Sequence, residues 1–283
     1  MIHGINEGPY PYYKTTNALN HSLSHIHPEA RIANNVVIEP FVTIGKNVEI
    51  GEGTWIGPYV TIMEGVRIGK NCRVFPGAVI GAIPQDLKFN GEETTVEIGD
   101  NVTIREYVTV HRGTKQSNRT VIMDNVLLMA YVHVAHDCVI GRNAILSNGV
   151  NLAGHIEVGN FAIVGGMSGI HQFIKIGQHA FIAGGSLVGK DVPPYVKAAR
   201  YPLSYAGVNS IGLRRRGFTS EKINHILDIY RILFVKQRNV SIALNIIESE
   251  MPASDERDEI IRFIRASERG IIKGYNPHHD NNS

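Results

Sequence analysis

The chain has 283 residues, 43% of them apolar and 19% charged, with a formal net charge of +2. That length holds one large domain plus a smaller one, and the near-neutral charge argues against nucleic acid as the main partner. No apolar run reaches membrane-spanning length, no basic-then-apolar leader opens the chain, and Cys72 and Cys138 alone make no disulfide framework. The expected location is therefore cytoplasmic, with no membrane span.

Residues 1–25 show no period and carry Pro9, Tyr10, Pro11, Tyr12 and Tyr13. They are read as an N-terminal extension and expected to be mobile. From Ile32 the chain repeats every six residues: IANNVV, IEPFVT, IGKNVE, IGEGTW, and onward to Ile80. The phase returns at Ile98, Ile104 and Val110, and again from Ile122 through Val188, giving 24 repeat starts that are all aliphatic. Both interruptions span whole multiples of six.

Within each hexad the fifth position is small or β-branched, as at Val36, Thr54, Ala162 and Ser186, and the second is often glycine. Large apolar, small and glycine positions at this spacing predict short strands joined by tight bends, the signature of a parallel β-helix. Each coil buries its apolar row against its neighbours, so stacking stabilises the array. Cys72 and Cys138 fall on the fifth position and are read as core spacers rather than as nucleophiles or metal ligands. The repeat resembles that of the hexapeptide acyltransferases, in which three hexads form one coil of a triangular prism. That resemblance, and not the periodicity, implies a left hand, since parallel crossovers are normally right-handed.

The first interruption, residues 82–97 (AIPQDLKFNGEETTVE), is polar and long for a connection, and loops of that kind on a rigid scaffold are often functional. The second, Lys115 to Val121, is shorter. Hexads stop at Val192-Pro193-Pro194. Beyond them Thr219-Ser220-Glu221 opens a run with helical spacing and an N-cap, and Ser241–Glu250 and Asp255–Arg269 read as further helices before a frayed NPHHDNNS tail. The expected organisation is an extension over 1–25, a left-handed parallel β-helix over 26–194 with the inserted loop 82–97, and a C-terminal α-helical domain over 195–283. From Lys197 to Arg238 nine lysines and arginines face two acids, a basic patch suited to an acidic protein or a phosphorylated ligand.

Repeats starting at Val134, Leu152 and Ile170 are 18 residues apart and stack on one face if three hexads make a coil. They bring His136, His155 and His171 together, with His133 and His111 close by. Such a cluster suits either a zinc site or acid–base catalysis. Asp137, directly after His136, could orient an imidazolium and so favours catalysis.

The stretches QDLKF (85–89), VTVHRGT (108–114), HVAHDCVIG (133–141), LAGH (152–155), GGMSGIHQF (165–173), DVPPYV (191–196) and GLRRRGF (212–218) are similar to the UDP-N-acetylglucosamine O-acyltransferases. The similarity runs in order over about residues 26–240. It implies transfer of an (R)-3-hydroxyacyl group from acyl carrier protein to the 3-hydroxyl of UDP-N-acetylglucosamine, at the start of lipid A synthesis. It implies no metal or organic cofactor, because the thioester is already activated. On this resemblance His136 is the general base, Asp137 orients it, and the Gly154 N–H faces the oxyanion. Asp86 and Lys88 reach the sugar from the inserted loop of a neighbouring subunit. His133, His155, His171 and Gln172 line the sugar and phosphate region, and Asn209, Arg215 and Arg216 contact the nucleotide or the carrier's phosphopantetheine arm. Gly184 stands at the acyl-chain ruler, so a long chain is expected, and the assembly is a homotrimer. Ile211 departs from the pattern, standing where some members carry a carboxylate.

Other readings share the prism. A γ-type carbonic anhydrase would hold zinc on three histidines, but it leaves the helical tail and basic patch without a purpose. CoA-dependent hexapeptide acetyltransferases lack QDLK and the RRRGF tail. The N-acyltransferase branch needs a uridine-binding domain larger than the residues before Ile32 supply. A non-catalytic scaffold would leave the stacked histidines unexplained.

Overall fold

In the computed structural model, residues 22–237 and 239–274 are described. The expected mobility of the extension falls, up to residue 21, outside them, as does the frayed tail from residue 275.

Each hexad forms one side of a coil. Its first residue and the residue before it make a two-residue strand, as in Thr43–Ile44, Glu49–Ile50 and Trp55–Ile56. Fifth and first positions point inward on either side of an outward sixth, as a strand's alternation requires. Ile44, Val48, Ile56, Val60 and Ile62 are accordingly fully buried. Cys72 and Cys138 are also fully buried, and burial pushes their thiols up to about 11 and about 12, as expected of inert spacers.

Equivalent residues of successive regular coils pair in parallel 18 residues apart, for instance Thr43↔Thr61, His133↔Asn151 and Glu157↔Lys175. Three sheets result among the described residues. Face one has nine strands and includes His133–Val134, Asn151–Leu152 and Leu187–Val188. Face two has eight and includes Val139–Ile140 and Lys175–Ile176. Face three has eleven and includes Phe181–Ile182. The architecture is a left-handed parallel β-helix with a short C-terminal helical region. Ile26 pairs with Ile44, so the period begins one hexad before Ile32.

The turns divide the backbone demands differently from the sequence expectation. Left-handed φ falls on the fourth position, at Asn47, Asn71, Asn101, Asn125 and Asn143, and even at Phe41, Tyr59, Tyr107 and Tyr131. Asparagine tolerates that region, whereas bulky residues there are costly. Ring stacking between coils offsets the cost, with centroids 5.0 Å apart for Phe41–Tyr59 and 5.2 Å for Tyr107–Tyr131. The second-position glycines serve close approach instead. A Cβ on Gly177 would lie 2.3 Å from Pro194 N in the next coil.

Both interruptions leave the corner between faces one and two, and their return strands pair with each other. Thr95–Ile98 runs parallel to Arg119–Ile122, with Val96 opposite Thr120. The second interruption thus ends in strand.

Past residue 194 face three continues. Val196–Ala199 joins Phe181–Ile182 in parallel, Ser204–Val208 follows antiparallel, and Lys273–Gly274 closes the edge. Among the described residues four α-helices follow this extension: α1 (Ser210–Arg215), α2 (Ser220–Arg231, continued by a π-helical turn over Ile232–Lys236), α3 (Val240–Glu250) and α4 (Asp255–Arg265). Asn209, Thr219, Asn239 and Ser254 cap them by accepting from backbone N–H groups in each first turn. The cap expected at Thr219 is present, and α4 stops at Arg265, four residues short of the expected end. α1 carries no sequence signal of its own, since six residues cannot show a helical period. Tyr230 of α2 is fully buried and donates to Pro194 O at 2.5 Å, fastening the helices to the top of the prism. Among the described residues no helix is long and apolar enough to cross a membrane.

Candidate active site

His136 and Asp137 occupy the third and fourth positions of a turn at the corner between faces one and two. Asp137 adopts the left-handed conformation (φ 60°), which short polar residues accept, and its N–H donates to Thr120 Oγ1 at 2.9 Å. That conformation turns the carboxylate back toward His136, and His136 Nδ1 lies 2.8 Å from Asp137 Oδ2. The aspartate side chain is 0% exposed and the histidine 13% exposed. Asp137 also accepts from Thr114 N at 2.9 Å, from Thr114 Oγ1 at 2.7 Å and from Ser117 Oγ. Burial opposes its charge, but the hydrogen bonds from His136, Ser117 and Thr114 prevail and hold the carboxyl well below its usual range.

Around this pair burial disfavours the charged form of His155, His133 and His111. His155 sits one coil on, its ring edge-on to His136 at 4.9 Å and its Nδ1 3.7 Å from Asp137 Oδ2. Phe173 stacks on its other side at 4.5 Å. Burial lowers the His155 pKa, partly countered by Asp137. His133 is lowered by burial and by His136, and its Nδ1 lies 2.7 Å from Thr109 Oγ1. His111 packs edge-on to His133 at 4.8 Å and is pushed down to about 4, first by burial and then by His133 and His136.

Gly154 lies against the His136 ring. A Cβ there would fall 2.5 Å from His136 Cε1 and 2.7 Å from Nε2. The Gly154 N–H, at a third position, has no backbone acceptor among the described residues.

An open groove of about 640 Å³ runs up face one from this corner, lined by His133, His136, Asn151, Gly169, His171 and Leu187, with Gln85 of the inserted loop on its rim. His171 and Gln172 are exposed there, and His171 Nδ1 lies 3.2 Å from Gln172 O. Asp86 of the same chain bears electrostatically on His155, so the inserted loop lies over its own chain's face. Asp86 Oδ1 accepts from Lys88 N at 2.9 Å, and Leu87 between them is fully exposed at the loop tip.

The remaining sequence-predicted residues stand at other corners of the prism. Asn209 caps α1 through Oδ1 and donates to His179 O at 2.9 Å. Arg216 donates to Phe161 O at 3.0 Å, while its Nη1 is buried without a partner among the described residues. Phe161 and His179 belong to the corner between faces two and three. Arg215 is exposed on α1 beside them. Gly184 lies at the corner between faces three and one, where a Cβ would fall 3.1 Å from Gly166 O. One chain therefore does not bring these three groups together.

The sequence alone gives Thr114, Ser117 and Thr120 no role, although Thr114 ends the VTVHRGT stretch. A signal existed. Counting hexads in threes shows that both interruptions follow face-one repeats, the face that carries His136.

His136, Asp137 and His155 are also the one group among the described residues whose ligand atoms lie within 4.8 Å of one another as a metal site needs. The donors on the Asp137 side of this group are already engaged. Both Asp137 oxygens accept hydrogen bonds, and His136 Nδ1 faces one of them, so a cation would have to displace these contacts. His171 is not in the group, contrary to the three-histidine arrangement that zinc would use.

The family described as bacterial transferase hexapeptide (six repeats) matches residues 23–54, 47–82 and 119–154. The family described as UDP N-acetylglucosamine O-acyltransferase, domain 2, matches residues 191–272. A Thermodesulfovibrio yellowstonii protein named acyl-[acyl-carrier-protein]–UDP-N-acetylglucosamine O-acyltransferase is 46% identical over 254 residues, covering 89% of this chain and 98% of its own. The chain belongs to the UDP-N-acetylglucosamine O-acyltransferase family. Another relative of that name, from Aquifex aeolicus, is 59% identical over 201 residues, 71% of this chain and 77% of its own. The crystal structure of the Bacteroides fragilis UDP-N-acetylglucosamine acyltransferase is 50% identical, covers 89% of this chain and 99% of its own, and superposes with a TM-score of 0.87. The Francisella novicida UDP-N-acetylglucosamine acyltransferase is 42% identical, with coverage of 91% and 95% and a TM-score of 0.88. This member of the acyltransferase family thus matches its relatives across both prism and helices, which neither an anhydrase nor a bare scaffold reading anticipates.

Proposed function

We propose that this acyltransferase moves an (R)-3-hydroxyacyl chain from acyl carrier protein to the 3-hydroxyl of UDP-N-acetylglucosamine, the opening step of lipid A biosynthesis, with His136 as general base. The carrying observation is the His136 Nδ1–Asp137 Oδ2 contact of 2.8 Å on a buried, multiply hydrogen-bonded carboxylate. An ionised carboxylate only accepts, so Nδ1 carries the proton and Nε2 is left basic. Nε2 takes the proton of the sugar 3-hydroxyl as its oxygen attacks the thioester carbonyl. The oxyanion formed faces the Gly154 N–H. Collapse breaks the C–S bond, and the departing thiolate recovers the proton from His136.

His133, His155, His171 and Gln172, with Asp86 and Lys88 of the inserted loop, bind the sugar and its phosphates. The groove up face one receives the acyl chain, with Gly184 setting how much is admitted. Arg215 and Arg216 engage the nucleotide or the carrier's phosphopantetheine, since a guanidinium fork matches phosphate. Asn209 supports them by capping α1. Because the arginines and the histidines stand at different corners of one prism, a second copy must supply one set to the other. A closed ring of three copies satisfies that head-to-tail requirement. The exposed stripe of Phe41, Tyr59, Tyr107, Tyr131 and Met167 along the face three–one corner supports such packing. The reaction belongs in the cytoplasm, where its nucleotide sugar and acyl carrier substrates are made.

The test is incubation with UDP-N-acetylglucosamine and a set of 3-hydroxyacyl carrier proteins, with mass measurement of the product and light scattering of the protein. An O-acylated nucleotide sugar from a trimer is expected. His136→Ala should bring product to background while the trimer persists, and near-normal turnover would remove His136 as base.

A further inference from the structure

Asp137 is held by a device that lies outside the hexads. The turn after Gly113, closed by Asn118 N donating to Thr114 O at 2.8 Å, carries three donors to one carboxylate. Oδ1 accepts from Thr114 N and Ser117 Oγ, and Oδ2 accepts from Thr114 Oγ1 and His136 Nδ1. A carboxylate offers about four lone-pair sites, so all are occupied. Gln116 N donates to Thr114 Oγ1 at 3.3 Å, which leaves the Thr114 hydroxyl hydrogen for Asp137. The Ser117 hydroxyl also lies 3.0 Å from Arg119 O, but an anionic oxygen is the stronger acceptor.

We infer that this turn is a carboxylate clamp, with Thr114 and Ser117 as positioning residues that act on His136 through Asp137. The inference rests on His136 being the base. Without the clamp, Oδ2 has a second histidine to choose. His155 Nδ1 stands 3.7 Å away, and a rotated carboxylate could accept from it and release His136 from its Nδ1–H tautomer. With the other three lone pairs committed to the turn, His136 is the one imidazole within hydrogen-bonding distance. The other titratable groups facing this site are His133 and His111 from face one, Cys138 beside Asp137 and Asp86 from the inserted loop. None of these donates to the carboxylate.

The experiment measures kcat and KM against pH in the full chain, using UDP-N-acetylglucosamine and a 3-hydroxyacyl carrier protein. It compares Thr114→Val, Ser117→Ala, their combination, Thr114→Ser and His136→Ala. The combination should lower kcat roughly tenfold or more with little change in KM, as loss of charge-assisted hydrogen bonds predicts. Its acid limb should also move to lower pH, because a carboxylate turned toward His155 no longer favours the imidazolium of His136. Thr114→Ser should restore the rate. A folded double variant with unchanged kcat and an unmoved limb would overturn the clamp, as would a lowered melting temperature with an unmoved limb. Should the combination not fold, Ser117→Ala on its exposed turn carries the same prediction with a smaller loss. An active His136→Ala enzyme would instead sink the base assignment itself, so the two failures are distinguishable.

Discussion

Gly154 and His136 are in van der Waals contact across one coil, so close that a Cβ on the glycine would lie 2.5 Å from His136 Cε1. The ring is fixed from one side by Asp137 and from the other by the absence of a side chain. Gly154→Ala must therefore displace the imidazole while leaving the inward-facing core untouched. Turnover is expected to fall roughly 100-fold, the scale of an ångström-level misplacement, with circular dichroism and assembly size unchanged. Wild-type kcat in Gly154→Ala would show that the contact is incidental.

Gly184 stands at an exposed corner where added atoms meet Gly166 O at 3.1 Å, so a long side chain is turned outward from the backbone. Gly184→Met is expected to shift the product mass series toward shorter acyl chains without abolishing turnover. An unchanged acyl preference would reject its place as the ruler.

His179 links the prism to α1. Its ring stacks on Phe161 at 4.9 Å and on Tyr195 at 5.6 Å, and its Nδ1 is buried without a partner among the described residues. Burial, then Arg216, pushes its pKa from 6.5 down to about 4. Between those values the unfolded chain takes up a proton that the folded chain refuses, so stability falls as pH drops through that window and is unaffected above it. The loss amounts to at most about 3 kcal/mol for this group. His179→Phe keeps the ring stack and should flatten the decline seen by urea unfolding between pH 6.5 and 4. A decline as steep as in the wild type would place the acid sensitivity elsewhere, His111 being the next candidate.

Glycines of the two turn positions should respond oppositely to substitution. Gly177→Ala drives a methyl into Pro194 N at 2.3 Å and is expected to cost about 2 kcal/mol or more. Gly185, with φ 70° and nothing within 4 Å of a built Cβ, should accept asparagine with a change within about 0.5 kcal/mol. Urea midpoints of the two variants test the contrast, and equal losses would contradict it.

Much of this protein is local in origin. The 24 aliphatic repeat starts between Ile32 and Val188 commit the chain to a stack of short strands, because such a stack buries them all in one core. The same register buried both cysteines and gathered His136 and His155 at one corner. The helix start at Thr219 was legible because a cap and an apolar period are short-range signals. What the sequence could not decide depends on contacts between residues far apart. α1 exists because Asn209 finds both Gly212 N and His179 O. The Thr114–Asn118 turn reads as a polar gap until Arg119–Ile122 pairs with Thr95–Ile98 and swings its donors onto Asp137. The wide separation of Arg216 from His136 appears only once the coils close into a prism, since the period fixes spacing along the chain but not which corner a helix beyond its end will meet.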